Sequence, residues 1–271
     1  MAADRLEAIL ETTRARVAAL RSRARALERQ AADAPAPRPF DRATAGPDVG
    51  VIAEVKRRSP SAGAIREDLN PVEHARAYAQ GGAVAISVLT DEPHFGGSLD
   101  DLARVAEAVA VPVLRKDFIL DELQLYEARA AGASAILLIA RALTPSRVRA
   151  LAAAARAQGL GVLVEVHNDA ELAVAVAAQP TAVGVNSRDL ATFTVDLDRA
   201  ERLVGQVPAG LPAIAESGIA TRADVERMAA AGADLVLVGT SVARTAEPAA
   251  AVRALTGVRR VGRGRGRGSS P

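Results

Sequence analysis

Short apolar runs alternate with polar, helix-like segments along most of the chain. Each run is nearly continuous in Val, Ile, Leu and Ala, which is typical of strands buried on both faces of a parallel sheet. The segments between the runs carry helix start signals, with Asn70, Thr144 and Asn168 as N-caps, and glycine follows several helix ends. The predicted strands are 49–55, 83–90, 111–118, 134–140, 161–166, 182–187, 212–217 and 235–240.

Eight strand–helix units in sequence favour a closed (β/α)8 TIM barrel. An open doubly wound sheet is the alternative, but the first strand is followed by EVKRRSP and not by a glycine-rich dinucleotide loop. An Ala/Arg-rich helix over 4–33 precedes the barrel. We therefore predict a single barrel domain over 1–256 that includes an N-terminal helical extension (1–47), followed by a disordered Gly/Arg tail (257–271).

Composition narrows the class of protein. The 271 residues include no cysteine, which excludes disulfides and thiolate metal sites, and the three histidines lack metal-ligand spacing. We expect no metal and no cofactor, and we interpret His167 as a loop-facing residue. No apolar run approaches the roughly 20 residues that cross a membrane, and the N-terminus lacks a signal-peptide core. These features predict a cytoplasmic protein.

Positive charge is concentrated at the end of the chain. Five arginines and no acids follow Thr256, whereas the rest of the chain has a net negative charge. Gly-Arg repeats can bind nucleic acid electrostatically, but this tail has no aromatic side chain to stack on bases. We interpret it as a solubilising end and expect no nucleic-acid or membrane partner. We expect a monomer, with a homodimer as the alternative.

Charged residues stand at the carboxyl ends of the strands, where the reactive residues of such barrels collect. Glu54 and Lys56 end strand 1 and, being two apart, share one face. An outward Glu54 would be a buried charge without a partner, so we place both side chains in the barrel mouth. Lys116, Glu165 and Glu216 end strands 3, 5 and 7. One such charge alone would be a solvated rim residue, whereas charges converging from four strands indicate a site.

Lysine occurs at only two positions, Lys56 and Lys116, among 34 basic residues. Arginine keeps its proton at any working pH, whereas lysine can donate one, and burial or nearby cations lower a lysine pKa. Both positions therefore favour proton transfer or a compact ammonium group. Of the three asparagines, only Asn186 has no N-cap position, so we expect it to contact a ligand.

A second group of residues follows strands 7 and 8. Each strand leads into a glycine and a small hydroxyl residue, where backbone N–H groups can bind an anion, usually phosphate in barrels. Arg188, which follows strand 6, is positioned to reach the same anion. Ordinary turn chemistry would account for this composition equally, and both interpretations stay open. The residues are Ser217, Gly218, Gly239 and Thr240.

Segments of the chain together resemble the indole-3-glycerol phosphate synthase family. The resemblance implies a tryptophan-biosynthesis lyase, in which 1-(2-carboxyphenylamino)-1-deoxyribulose 5-phosphate closes its ring and loses CO₂ and water to give indole-3-glycerol phosphate. Two departures are mild: Ser187 stands where the family commonly has a second Asn, and strand 8 continues as TSVAR. The segments are VIAEVKRRSPSAG, LTDEPHFGGS, PVLRKDFILDELQL, VEVHNDAEL, GVNSRDL, AESGI and LVGTS.

The resemblance also implies roles in catalysis. Lys116 is similar to the general acid of ring closure, and Glu165 to the acid/base partner in dehydration. Lys56 matches a residue close to the leaving hydroxyl and to the substrate carboxylate. The division of the later proton transfers among Lys56, Glu54 and Glu165 stays open, and Glu216 resembles a charge-positioning residue.

Binding roles follow from the same resemblance. Ser59 and Asn186 look like contacts to the carboxylate and hydroxyl groups of the substrate. Phe95 and Phe118 match the apolar walls around the anthranilate ring, although core packing would explain either residue equally well. The implied phosphate site comprises Arg188, Ser217, Gly218, Gly239 and Thr240.

Other phosphosugar barrels are the nearest alternatives. Phosphoribosylanthranilate isomerases use a Cys and an Asp, and this chain has no cysteine. Ribulose-phosphate epimerases need metal-binding His and Asp positions that the sequence does not offer. A non-catalytic nucleic-acid-binding protein acting through the Gly/Arg tail would leave the strand-end charges unexplained.

Overall fold

A barrel of parallel strands forms the body of the protein, whose computed structural model describes residues 2–60, 62–189 and 192–263. Within these ranges eight strands pair in sequence order, and the first also pairs with the last. The predicted (β/α)8 fold is thereby confirmed. The strands are β1 (Gly50–Val55), β2 (Ala85–Leu89), β3 (Val113–Lys116), β4 (Ala135–Ile139), β5 (Gly161–Val166), β6 (Ala182–Asn186), β7 (Ala213–Glu216) and β8 (Leu235–Val238).

Helices precede and surround the barrel. The N-terminal extension, predicted as one helix over 4–33, is divided into α1 (Ala2–Leu20) and α2 (Ala24–Asp33) by a 3-10 turn at Arg21–Arg23. Among the described helices, none combines the length and the apolar character needed to cross a membrane. The others are α3 (Pro71–Gln80), α4 (Glu92–Phe95), α5 (Leu99–Ala108), α6 (Glu122–Ala130), α7 (Pro145–Ala157), α8 (Asp169–Ala177), α9 (Leu197–Gln206), α10 (Arg222–Ala231), α11 (Thr240–Ala243) and α12 (Pro248–Arg253).

The predicted helix boundaries are made by the expected groups. Asn70 accepts the N–H of Val72 at 3.1 Å at the start of α3. Thr144 and Asn168 accept the N–H of the third residue of α7 and α8, at 3.3 and 2.9 Å. These bonds satisfy N–H groups that have no partner inside the helix. At the other ends, Gly82, Gly132 and Gly232 have positive φ angles after α3, α6 and α10.

The inward face of the barrel changes from apolar to charged toward the carboxyl end of the strands. In β1 the inward residues are Ile52 and then Glu54, and β3, β5 and β7 repeat this order. At the amino-terminal end the ring of Phe40 closes the barrel, and a Cβ on Gly161 would lie only 2.8 Å from the Phe40 Cβ. The polar chemistry is therefore confined to the carboxyl-terminal mouth.

Residues 257–263, at the start of the predicted disordered tail, pack against the amino-terminal end of the barrel. The Val258 carbonyl accepts the N–H of Val49 at 2.7 Å, and the Val258 side chain is buried. The segment packs because this valine buries apolar surface beside β1. The rest of the tail, residues 264–271, lies outside the described residues.

Two arginines of this segment form hydrogen bonds to neighbouring loops. Arg260 donates to backbone carbonyls before β1, and Arg263 donates to the carbonyls of Gly232 and Leu211. Arg263 also pairs with Asp234 at 2.8 Å, with only 6% of its side chain exposed. The two arginines therefore join the loops before β1, after α10 and before β7 to one another.

Replacing Arg263 by Met should lower the free energy of unfolding by about 1.5–3 kcal/mol, because the charge-assisted bonds of this buried guanidinium to Asp234 and to two backbone carbonyls are lost. Denaturant titration followed by circular dichroism measures this change. Arg259→Met is the matched control, since the Arg259 side chain is 75% exposed and its pair with Asp48 lies at the surface. Such pairs contribute less than about 1 kcal/mol. Equal losses in the two variants would contradict an anchoring role for Arg263.

Candidate active site

A cavity of about 580 Å³ opens at the carboxyl ends of the strands. Every residue that the sequence analysis assigned to catalysis, substrate binding or phosphate binding lines this cavity. The floor is formed by charged side chains from the strands, and the walls by loop residues. The strand-end positions therefore converge as predicted, while the role of each residue stays a prediction.

Lys116 occupies the centre of the cavity floor. Its Nζ lies 3.3 Å from Oε2 of Glu165 and 3.2 Å from Oε2 of Glu216. Beside it, Lys56 Nζ lies 2.6 Å from Oε1 of Glu54. At most 14% of any of these side chains is exposed, so the charges interact in a largely dry environment.

The carboxylates determine the proton state of Lys116. Burial alone lowers the pKa of Lys116, but the charges of Glu216, Glu165 and Glu54 together raise it well above its ordinary value. The expectation of a lowered lysine pKa at this position is therefore wrong. Burial likewise raises the pKa of Glu165, but Lys116, His167 and Asn186 together outweigh that effect and hold the pKa below its ordinary value. Glu54 behaves in the same way through Lys56 and Lys116.

Glu216 differs from the other two carboxyl groups. Burial raises the pKa of Glu216 to about 8, and although Lys116 opposes this shift, the neighbouring Glu165 charge supports it. Glu216 is therefore mostly protonated at neutral pH. Among the described residues of the floor, two ammonium groups then face two carboxylates, and the buried charges balance.

Two glycines make room for these carboxyl groups. A Cβ on Gly184 would lie 2.0 Å from Oε1 of Glu216, and one on Gly239 would lie 2.4 Å from Oε1 of Glu54. The sequence analysis had assigned Gly239 to phosphate binding and had missed Gly184. An isolated glycine inside an apolar strand was the available signal, because it marks a close approach of another group.

The turn after β7 contains two successive residues with positive φ. Ser217 and Gly218 have φ angles of 66° and 73°, so the backbone curves sharply at this point. Ser187 Oγ donates to the Ser217 carbonyl at 3.0 Å and supports this conformation. The position where the chain departs from the family pattern therefore holds the turn in place.

Arg188 and Asn186 connect β6 to this turn and to the floor. Arg188 Nη1 donates to the Phe193 carbonyl at 3.0 Å, and burial lowers the pKa of Arg188. Asn186 Oδ1 accepts the N–H of Arg188 at 3.0 Å, and the Asn186 side chain also bonds to Glu165. Asn186 is thus fixed by the backbone on one side and holds a floor carboxylate on the other.

Apolar side chains form the walls. The rings of Phe95 and Phe118 have centroids 6.3 Å apart with 39° between their planes. Leu6 and Ile9 of α1 also line the cavity, so the N-terminal extension covers part of the mouth. These contributions, together with those of Phe193 and Arg244, were not predicted from the sequence, because local patterns do not reveal which helix faces and loops meet in the fold.

Ser59 lies in the two-stranded hairpin of Arg58–Ser59 and Gly63–Ala64, which follows β1. Its Oγ accepts the N–H of Ala62 at 3.1 Å, and the residue is buried. The hairpin therefore holds this hydroxyl at the cavity wall.

The prediction that His167 faces a loop is wrong. Its side chain is fully buried and lies between Glu165 and Glu171. The reason is that His167, the residue after β5, packs against the first turn of α8, where Glu171 binds both its backbone N–H and its ring.

Comparison with known proteins identifies the family. Residues 6–255 match the model of the indole-3-glycerol phosphate synthase family. Indole-3-glycerol phosphate synthase 2 of Streptomyces coelicolor is 47% identical over 252 residues, covering 93% of this chain and 97% of that protein. The synthase of Mycobacterium avium is 47% identical over 249 residues, covering 91% and 92%. That of Rhodopirellula baltica is 46% identical over 253 residues, covering 92% and 98%.

Among solved structures, thiamine phosphate pyrophosphorylase from Pyrococcus furiosus superposes with a TM-score of 0.59 at 16% identity, covering 79% of this chain and 95% of that one. This likeness concerns the barrel fold alone. The full-length sequence matches decide between the synthases and the other phosphosugar barrels that the sequence analysis left open. The chain belongs to the indole-3-glycerol phosphate synthase family.

Proposed function

We propose that this protein converts 1-(2-carboxyphenylamino)-1-deoxy-D-ribulose 5-phosphate to indole-3-glycerol phosphate, CO₂ and water, the carboxy-lyase step of tryptophan biosynthesis. The observation that carries the proposal is the lysine ammonium, Lys116, which buried carboxyl groups hold in its protonated form on the cavity floor. The family and the names of the relatives support the same reaction.

The phosphate group of the substrate binds at the turns after β7 and β8. Ser217 and Gly218 curve their backbone around one side of this site, and Gly239 and Thr240 begin the turn into α11. Arg188 supplies a half-buried guanidinium from the neighbouring strand. Fixed backbone dipoles and one cation suit a phosphate dianion, and they leave the floor free for the reacting groups.

The anthranilate ring lies between the apolar walls. Phe95 and Phe118 offer two tilted aromatic surfaces, and Leu6 and Ile9 cover the ring from α1. The ring carboxylate, which is lost as CO₂, binds between the Lys56 ammonium and the Ser59 hydroxyl. This arrangement bends the substrate across the cavity, and the reacting aryl carbon then meets the ketone above Lys116.

Lys116 is the general acid of ring closure. As the aryl carbon attacks the ketone, negative charge develops on the carbonyl oxygen, and the ammonium both stabilises this charge and transfers a proton to it. The surrounding carboxylates keep Lys116 protonated before the substrate arrives, so the acid is present at the start of each turnover. Glu216, mostly neutral, limits the excess of negative charge around the ammonium.

Dehydration uses the other groups of the floor. Lys56 protonates the leaving hydroxyl, and its 2.6 Å contact with Glu54 holds the ammonium in place. Glu165 removes the ring proton, and its hydrogen bond from Asn186 orients the accepting carboxylate. The two groups act from opposite sides of the floor, on β1 and β5.

The enzyme acts in the cytoplasm as a monomer. The described residues of a single chain supply the general acid, the general base, the cavity walls and the phosphate site. No second subunit is therefore needed to complete the cavity. The Gly/Arg tail has no part in the reaction. Size-exclusion chromatography with light scattering tests the oligomeric state, and a dimer would replace this part of the proposal.

The direct test is turnover of the proposed substrate. Purified protein is incubated with the carboxyphenylamino-deoxyribulose phosphate, without added metal, and indole fluorescence is followed. A rising signal that matches the loss of substrate is expected. Phosphoribosylanthranilate serves as the control substrate and should remain unchanged. Absence of indole product would overturn the proposed function.

Lys116→Arg should lower kcat by about 10²–10⁴-fold, because arginine keeps the charge but does not release its proton at working pH. Steady-state kinetics measure the loss, and an unchanged circular dichroism spectrum shows that the fold is kept. Lys116→Met, which loses both charge and proton, is the companion variant. Near-wild-type kcat in the arginine variant would sink the assignment of Lys116 as a proton donor.

Glu216→Gln should flatten the pH dependence of stability between pH 4.5 and about 8. The folded protein retains a proton on Glu216 that the unfolded chain has released, so the free energy of unfolding falls as pH rises through this window. A neutral glutamine removes that contribution. Urea titrations at several pH values measure it, and Glu7→Gln, at a carboxylate that is 55% exposed, is the control. A wild-type slope in the Glu216 variant would show that Glu216 is already ionised.

A further inference from the structure

His167 is a buried titratable group that the proposed mechanism does not use. It follows β5 and lies directly behind Glu165, with its Nε2 3.5 Å from Glu165 Oε1. On the other side of the ring, Nδ1 lies 3.1 Å from Oε2 of Glu171. The imidazole, with none of its side chain exposed, is thus held between two carboxyl groups.

Glu171 fixes the orientation and the tautomer of this ring. Its Oε2 also accepts the backbone N–H of His167 at 2.8 Å, and its Oε1 accepts from Asn168 Nδ2 at 2.7 Å. Burial raises the pKa of Glu171, but the hydrogen bond from His167 and the Arg141 charge contribute to lowering it to about 2. A carboxylate only accepts hydrogen bonds, so the Nδ1 atom that faces it carries a hydrogen.

The opposite nitrogen is left without a matching partner. Within the part of the chain that the structure describes, the buried Nε2 atom has no hydrogen bond. With Nδ1 protonated, a neutral ring directs the Nε2 lone pair at Glu165 Oε1, which is itself an acceptor. One added proton, on either atom, converts this contact between two acceptors into a hydrogen bond. The pair is therefore built to hold a single proton.

The charged and polar groups around the pair contact other atoms of Glu165 and Glu171. The proton therefore stays between Glu165 and His167. Lys116, from β3, contacts the other oxygen of Glu165, Oε2, at 3.3 Å, and Asn186 bonds to Glu165 from β6. Arg141, after β4, contacts Glu171 Oε1 at 3.2 Å and not the imidazole. Among the described residues, Glu165 and Glu171 are the only groups that form an ionic pair with His167.

We infer that His167 is a positioning residue that exchanges a proton with Glu165, so that the acid/base unit of dehydration is the Glu165–His167 pair. The inference rests on the proposed function. It extends that function by one residue, which acts through Glu165 without touching the substrate.

The proton balance of the step is closed by groups on the floor. When Glu165 takes the ring proton, a C–H bond breaks, an O–H bond forms, and the released electron pair makes the C=C bond as water departs. The proton then passes from Oε1 to Nε2, which restores the Glu165 carboxylate and leaves an imidazolium between two carboxylates. Lys56, which protonated the leaving hydroxyl, recovers a proton as the pair releases this one.

His167→Asn separates this role from simple packing. The asparagine Nδ2 replaces the donor toward Glu171, but nothing replaces Nε2. We expect kcat to fall at least about tenfold with little change in KM. The acidic limb of the kcat–pH profile should move down by more than about one pH unit, because a carboxyl group ordinarily titrates about two units below an imidazole.

His74→Asn is the matched control. His74 is also a buried histidine whose Nε2 has no partner in the described structure, but it lies on α3, where its Nδ1 contacts the Asn70 carbonyl. Its substitution should leave both kcat and the pH profile at wild-type values. A shift of the profile in both variants would overturn the inference, since the effect would not depend on Glu165.

The outcomes distinguish the inference from the function beneath it. If the wild-type protein does not turn over the substrate, the proposed function fails and the inference with it. If the wild-type protein is active and His167→Asn lowers kcat equally at every pH, His167 has only a packing role and the inference alone is overturned.

Imidazole NMR on the wild-type protein and on Glu165→Gln, both of which retain His167, keeps the test open even if His167→Asn does not fold. The chain has only three histidines, so their ring signals can be assigned. Glu165→Gln should change the titration of the His167 ring nitrogens and leave those of His74 and His94 unchanged. An unaltered His167 titration in Glu165→Gln would show that the two residues share no proton.

Discussion

An ammonium group buried among carboxyl groups is the constraint on which the rest of this structure depends. Lys116 lies on the barrel floor, where water is scarce and an unpaired charge is costly. Nearby lysines help to hold the pKa of Glu165 and of Glu54 below the ordinary value, whereas burial, supported by the charge of Glu165, raises the pKa of Glu216. The proton states are thus a property of the whole cluster, and no single residue determines them.

The barrel supplies this cluster through its alternating strands. The inward apolar residues at the lower level, such as Ile52 and Leu163, exclude water from beneath the floor, and Phe40 seals the far end. The strands between the charged ones contribute space: glycines at positions 184 and 239 leave the volume that two carboxyl groups occupy. The charged strands therefore supply the carboxyl groups, and the strands between them supply the space that these groups occupy.

The local features of this arrangement can be predicted from the sequence, and the long-range ones cannot. Strand order and strand-end residues follow from an alternation of two positions, so Glu54 and Lys56 could be placed without coordinates. His167 does follow the strand as its first loop residue, but its burial depends on Glu165 and on Glu171 of α8, which the strand pattern does not describe. The pKa direction of Lys116 and the packing of 257–263 depend on partners far apart in sequence, which no local pattern contains.

Arginine and lysine occupy two different environments at adjacent positions of β3. Arg115 points outward and is buried, with hydrogen bonds to Thr90, the Gln124 carbonyl and Asp117, the last at 2.9 Å. A fixed charge with many donors suits that position, because every bond is permanent and no proton moves. Lys116 points inward, where its ammonium contacts the carboxyl groups of Glu165 and Glu216. Exchanging the two residue types would leave both charges in place, yet the outer network would lose bonds that only a guanidinium makes, and the floor would lose the proton donor that we propose.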